Sequence, residues 1–320
     1  MNRNLIYWCP LLLFWLLWAI LPSNYSISII AQQYWQSSLT MVAGSFVAGA
    51  TPFGGGAIAF PVFTKVLHIP PSDAKVFSLA IQSVGMLAAS IAIFMMRIKV
   101  LWRVIAWASL GGVLGMLIGS LLLSPVLAPA IIRMLFTVLA VSLALTLTFL
   151  NVGFRLSQTA MPEIRIKEVG ILLVVGALGG VVSSLVGSGI DMICFSVLVL
   201  LFRVCESVAT PTSVILMAVN SLAGVLLHLF VLDGINEQVQ AYWLAAVPVV
   251  VIGAPLGAFF CSRMHHLHIR YLLIMLIFIE LLSSLWILDF DVTLIVFSIS
   301  MFMLFSSLMV WMSKIKMYAS

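Results

Sequence analysis

The chain has 320 residues, of which 63% are hydrophobic and 8% are charged, and its mean hydropathy is +1.25. Soluble domains carry about 25% charged residues, so this composition excludes a soluble globular protein and indicates a polytopic membrane protein. The net charge of +5 does not indicate nucleic-acid binding, because Lys and Arg lie singly or in small clusters between apolar runs.

The first apolar run covers residues 5–21, after the basic start MNRN. It is rich in Trp and Leu and no small-x-small site follows it, so we expect a retained transmembrane helix and not a cleaved signal peptide. Most of the later apolar runs are long enough for one crossing of a hydrocarbon core about 30 Å thick. They cover residues 39–68, 74–96, 100–124, 129–150, 169–202, 207–232, 239–261, 270–288 and 291–313.

Two of these runs are too long for a single crossing. As helices, 39–68 would measure about 45 Å and 169–202 about 51 Å. Glycine interrupts both, in the sequences GATPFGGGAIAFP and VGSGID. The interrupting residues are Gly54, Gly55, Gly56, Gly187, Ser188 and Gly189. We therefore predict that each run consists of two helical pieces separated by a break.

The two broken runs lie in similar stretches of sequence. Aligning their glycines gives an offset of 133 residues, and the same pairing, with small insertions, places Ser72 on Ser207 and Gly115 on Gly253. We interpret the two stretches as copies of one unit. The predicted organisation is an N-terminal transmembrane helix and outer loop (1–38), the first copy (39–151), a cytoplasmic linker (152–168), the second copy (169–288), and a C-terminal transmembrane helix with a cytoplasmic tail (289–320).

The two copies can be arranged in two ways. They are parallel if each broken run crosses the membrane, and inverted if each run enters the membrane and returns to the same side. The positions of the basic residues distinguish the two arrangements. With both runs re-entrant and the N-terminus inside, 12 of the 15 basic residues face the cytoplasm, against 9 of 15 with both crossing. A mixed arrangement reaches 11 of 15 but requires the two copies to behave differently. The positive-inside rule therefore favours inverted repeats, with 97–103 and 152–168 inside and 22–38 and 233–238 outside.

The predicted fold is an all-α polytopic membrane protein, with about eight full transmembrane helices and two glycine-broken re-entrant hairpins in two inverted repeats. Non-helical backbone at membrane depth persists only where protein buries it or where it lines a watery cavity. Two breaks that enter from opposite faces are expected to meet near the midplane, as at the binding site of a secondary transporter.

The breaks offer backbone N–H groups to an anion, because a half-helix begins after each one, at Ala57 and near Ile190. The helices that follow add hydroxyl groups, although such groups often bond only their own backbone. Glycine at four-residue spacing in 111–119 and 253–257 is interpreted instead as helix packing. The candidate substrate-binding residues are Gly54, Gly55, Gly56, Gly187, Ser188, Gly189, Ser78, Thr212 and Ser213.

Asp191 and Glu280 lie within apolar sequence, where a charge needs a partner, a cavity or a proton. Both are candidates for proton coupling, and Asp191 has the alternative role of an N-terminal helix cap. The sequence contains no nucleophile motif, Walker loop, dinucleotide fingerprint or zinc signature. We therefore expect no metal site, no cofactor and no enzymatic activity.

The stretch GSFVAGATPFGGGAIAFPV from Gly44, its degenerate partner around Gly187 and the stretch ATPTS resemble the sulfite exporter TauE/SafE family of membrane transporters. The resemblance covers residues 39–288. It implies about eight membrane helices in two repeats, and transport of small sulfur-containing or organic anions across the bacterial inner membrane. The family's repeat motif falls on Gly54, Gly55, Gly56, Pro61, Gly187, Ser188 and Gly189. The second copy departs from it, with Ser188 in place of a glycine, Cys194 in place of a proline, and the added charge of Asp191.

The leading hypothesis is a secondary transporter for a small anion such as sulfite or a sulfonate. It is expected to be coupled to protons and to lie in the bacterial inner membrane with both termini in the cytoplasm. The alternatives are a passive anion channel and a membrane scaffold without a substrate. The glycine breaks favour transport, since a scaffold has no use for buried open backbone.

Overall fold

The computed structural model describes residues 32–149, 158, 165–264, 266–287 and 291–315. Within these residues the chain is helical, with no strand beyond an isolated bridge between Gln158 and Val204. The predicted first helix, 5–21, and most of the predicted linker, 152–168, lie outside the described residues. The helices are α1 (Trp35–Ala50), α2 (Gly56–Pro61, continued by a π-helical turn, Val62–Val66), α3 (Pro71–Met95), α4 (Trp102–Ile118, continued by a π-helical turn, Gly119–Leu123), α5 (Pro129–Phe149), α6 (Ile166–Val186), α7 (Ile190–Leu200), α8 (Glu206–Phe230), α9 (Glu237–Arg263), α10 (His266–Ile287) and α11 (Val292–Lys314).

Eight of the described helices are long and apolar enough to cross a membrane, namely α3 to α6 and α8 to α11. This confirms the prediction of an all-α polytopic membrane protein. One of the eight is α6, the first arm of the second broken run. The sequence predicts that this run forms a re-entrant hairpin and does not cross. The 21 residues of α6 are enough for a crossing by length alone.

The chain reverses direction at both glycine breaks. After α1, Gly55 lies back against that helix, so that a Cβ on Gly55 would stand 3.3 Å from the Cβ of Ala48. After α6, Gly187 adopts a left-handed φ of 87°, the usual way for glycine to end a helix. Ile190 then lies beside α6, since a Cβ on Gly179 would stand 2.8 Å from its Cα. The predicted breaks are therefore present, and each separates two arms that lie side by side.

Two pairs of long helices pack at close range through glycine, α4 against α6 and α1 against α9. A Cβ on Gly115 would overlap the carbonyl oxygen of Ala177 in the first pair. A Cβ on Gly257 would overlap the carbonyl oxygen of Phe46 in the second. This confirms the packing role predicted for the glycines at four-residue spacing, because only glycine lets the backbones approach so closely.

Helices α3 and α8 pack against each other in the centre and run antiparallel. The side-chain amide of Asn236, which follows α8, donates to Asp73 Oδ2 in the first turn of α3. At the other end, the N–H of Leu101, beyond the end of α3, donates to Thr212 Oγ1 near the start of α8. The end of each helix thus lies beside the start of the other, and the two glycine breaks lie against this central pair.

Candidate functional site

The two glycine breaks meet inside the protein. A Cβ on Gly54 would stand 2.5 Å from both Ser188 Oγ and Asp191 Oδ2, and a Cβ on Gly56 would stand 3.1 Å from the Cβ of Ser188. The Ser188 hydroxyl also donates to the carbonyl oxygen of Phe53, at 3.4 Å. We call the meeting point, formed by Gly54, Gly56, Gln82, Ser188 and Asp191, the break junction. Its residues come from α2 and α7, with their preceding turns, and from α3.

Gln82 joins the two breaks from the central helix α3. Its Nε2 donates to the carbonyl oxygen of Gly187, at 2.5 Å, and to that of Ser78 on its own helix, at 3.1 Å. Its Oε1 is buried without a hydrogen-bond partner, and a Cβ on Gly54 would stand 3.1 Å from it. A buried amide oxygen without a donor is costly, so this atom is available to a bound group.

The Asp191 side chain is 1% exposed and accepts hydrogen bonds at the start of α7 with one of its two oxygens. Oδ1 accepts from the N–H of Gly189 at 3.1 Å and from the N–H of Met192 at 3.0 Å. Oδ2 has no hydrogen-bond partner among the described residues. The N-cap residue of α7 is Gly189, and Asp191 in the first turn accepts N–H groups there with one oxygen, which leaves the second oxygen for other contacts.

The first break differs from the second in its free amides. No hydrogen bond involves the N–H groups of Gly54, Gly55 or Gly56 in the described part of the chain. At the second break two of the three corresponding groups are used, since the N–H of Gly187 donates to Ser183 O at 2.8 Å and the N–H of Gly189 donates to Asp191 Oδ1 at 3.1 Å. Free amides at the start of a helix form an anion-binding surface.

The remaining candidate residues are not among the five that form the break junction. Ser78 packs beside it, with its Cβ against Gly187, and its hydroxyl donates to Ala74 O at 2.8 Å. Gly55 faces α1, and a Cβ on Gly189 would meet Val182 on α6. The hydroxyls of Thr212 and Ser213 are engaged on α8, with Val208 O and Thr210 O respectively, and that of Thr212 also accepts from Leu101 N–H.

Glu280 forms a buried ion pair with Lys65, which lies on the π-helical turn after α2. The Lys65 ammonium is 3.4 Å from Glu280 Oε1 and donates to the hydroxyls of Ser283 and Ser284. Thr137 on α5 donates to the same carboxylate oxygen, at 3.3 Å. This network fastens the first hairpin to α5 and α10. It also lines a mainly apolar cavity of about 300 Å³ that reaches Phe53 in the first break.

The sequence matches a known family of membrane proteins. The family model of the sulfite exporter TauE/SafE family matches residues 38–284, well over half of the chain. This chain belongs to the sulfite exporter TauE/SafE family. Searches of curated proteins and of solved structures gave no match. The family assignment and the eight apolar helices together identify a multi-pass membrane protein of a transporter family.

Within this TauE/SafE protein, the two glycine breaks supply the backbone of the break junction, and Gln82 adds a side chain from α3. Gln82 was missed as a candidate, although a lone amide in the apolar helix sequence SLAIQSVGM is a recognisable signal. Lys65 was also missed, although it is a cation within the first broken run. Cys194, where the resemblance leads us to expect a proline, is fully buried on α7.

Proposed function

We propose that this protein is a secondary transporter for a small sulfur oxyanion, sulfite or a sulfonate, in the inner membrane of a bacterium, and that transport is coupled to protons. The observation that carries the proposal is the meeting of two glycine breaks around unpartnered polar atoms. The free N–H groups of Gly54 and Gly56 supply donors to an oxyanion, which presents several acceptors in a small volume.

The break junction also contains a titratable group, as proton coupling requires. Of the two carboxylate candidates, Asp191 has the more suitable surroundings, because one of its oxygens is buried without a partner beside Gly54. Glu280 has a cation and hydroxyl donors around it and serves to hold the first hairpin in place. We therefore assign coupling to Asp191 and a structural role to Glu280.

Flux measurements on purified protein in liposomes test the proposal. With an imposed pH gradient, sulfite or methanesulfonate should accumulate above its external concentration, and a protonophore should abolish the accumulation. Protein-free liposomes provide the control. Equilibration without accumulation would identify a passive channel, and the absence of flux for both anions would exclude the proposed substrate class.

A further inference from the structure

The carboxylate of Asp191 occupies the place that an anion would take at the start of α7. Its Oδ1 accepts the N–H groups of Gly189 and Met192, and Ser183 accepts the N–H of Ile190 between them. The second half-helix therefore carries an anion of its own, covalently attached. A substrate anion would compete there with this carboxylate for the N–H groups of Gly189 and Met192.

The other carboxylate oxygen lies beside Gly54 of the first break. Asp191 Oδ2 is buried without a partner, and the closest approach described for it is to Gly54, where a Cβ would stand 2.5 Å away. Gln82 Oε1 lies beside the same position and also has no donor. The break junction thus holds two unpaired acceptor atoms beside Gly54, whose own N–H group is also unpaired.

Among the described residues, no cation forms an ion pair with Asp191. Ser183 from α6, Gln82 from α3, Ser188 of the same break and the glycine amides of the first break are neutral. Lys75, one turn before Ser78 on α3, donates its ammonium to Ser124, and Cys194 lies one turn further along α7. In the described part of the chain, the buried ion pair is Lys65 with Glu280, and it does not include Asp191.

We infer that Asp191 is a tethered anion that occupies the break junction, and that it must take up a proton before a substrate anion binds, so that the anion and the proton cross the membrane in the same direction. Two like charges among the same few amides repel strongly in a low dielectric. Protonation removes this repulsion and turns Asp191 into a donor, which can satisfy Gln82 Oε1 or an oxygen of the substrate. This inference rests on the proposed function and specifies the direction of its coupling.

Direct binding of methanesulfonate to the purified full chain tests whether the ionised Asp191 and a substrate anion exclude each other. This probe keeps one negative charge between about pH 5 and about pH 8, whereas sulfite itself titrates near neutrality. For the wild type, affinity should fall by about tenfold per pH unit above the pH at which Asp191 ionises. Asp191→Asn should bind with an affinity that does not change with pH, and the surface control Asp233→Asn should behave as the wild type.

Proton movement in liposomes tests whether the proton crosses the membrane in the same direction as the anion. An inward gradient of methanesulfonate should acidify the lumen with the wild type and should leave its pH unchanged with Asp191→Asn. Alkalinisation of the lumen would overturn the inference, as would wild-type binding that is independent of pH. If Asp191→Asn does not fold, Asp191→Ser retains a capping oxygen and serves instead. Failure of the wild type to bind methanesulfonate or sulfite at any pH would overturn the proposed function itself, together with the inference.

Discussion

Gly54 is restricted both by its backbone and by its neighbours. Its φ of 72° lies in the left-handed region, and any side chain there would meet Ser188 and Asp191 of the opposite break. Gly56 has an ordinary backbone conformation but faces Gln82 and the carbonyl oxygen of Gly187 just as closely. The two residues therefore have a different role from Gly55, which packs on its own arm.

Replacing Gly56 with Leu should reduce transport at least about tenfold while membrane insertion persists, because the side chain would fill the break junction. The matched control is Gly170→Leu on α6, where a Cβ would meet nothing within 4 Å. Flux per inserted protein in liposomes compares the two variants. Wild-type flux through Gly56→Leu would assign the triple glycine to packing alone.

The Lys65–Glu280 pair should affect stability more than coupling. Glu280→Gln leaves the Lys65 ammonium buried without a counter-charge, and breaking such a pair costs about 3–5 kcal/mol. We expect a lower unfolding temperature for Glu280→Gln, and partial recovery in the double variant Lys65→Met with Glu280→Leu. Thermal unfolding in detergent measures both. An unchanged unfolding temperature, or loss of proton-driven accumulation in the folded single variant, would contradict the structural role.

At the scale of elements, the glycine signals in the sequence were sufficient to predict the breaks and the close helix contacts. Glycine determines local backbone geometry and approach distance, and both can be recognised in a single segment. The bonds of Gln82 to Gly187 and of Lys65 to Glu280 could not be predicted in this way, because they join residues 105 and 215 positions apart. Only the packed arrangement of α3 between the breaks, and of α10 beside the first hairpin, brings these partners together.

The close contact between α4 and α6 should tolerate no side chain at its centre. A Cβ on Gly115 would overlap the carbonyl oxygen of Ala177, and overpacking of this kind costs about 1–3 kcal/mol. We expect Gly115→Ala to lower the unfolding temperature and the yield of monodisperse protein, whereas Gly170→Ala should not. Equal stability of the two variants would show that the helices can move apart at little cost.

At the scale of the whole molecule, the antiparallel packing of α3 and α8 supports the interpretation of the chain as two inverted copies. The two helices occupy matching places after the two breaks, with α3 starting at Pro71 and α8 at Glu206. The two helix pairs that pack through glycine show the same relation between the copies. The first arm of each copy packs on the fourth helix of the other copy, α1 on α9 and α6 on α4. We propose that residues 39–151 and 169–288 arose from one unit.

Membrane-impermeant labelling distinguishes inverted from parallel copies. In a variant without the native cysteines, Lys99→Cys in the loop after α3 should react only after permeabilisation. Gln238→Cys, at the start of α9, should react from outside. Lys99 lies between α3 and α4, and Gln238 lies just after the connection between α8 and α9, which is the equivalent place in the second proposed copy. Reaction of both from the same side would indicate parallel copies.

Cross-linking across the break junction tests whether the two breaks meet at the place where the anion binds. The Cβ positions of Gly56 and Ser188 are 3.1 Å apart, close to the range of about 3.5–4.5 Å found in disulfides. The double variant Gly56→Cys with Ser188→Cys, again without native cysteines, should therefore cross-link within one chain under mild oxidation. In the single variant Ser188→Cys, which leaves Gly56 unchanged, saturating methanesulfonate should slow modification of the cysteine by a small thiol reagent, because the anion occupies the break junction. No cross-link in the folded protein, or an equal rate of modification with and without the anion, would contradict the account.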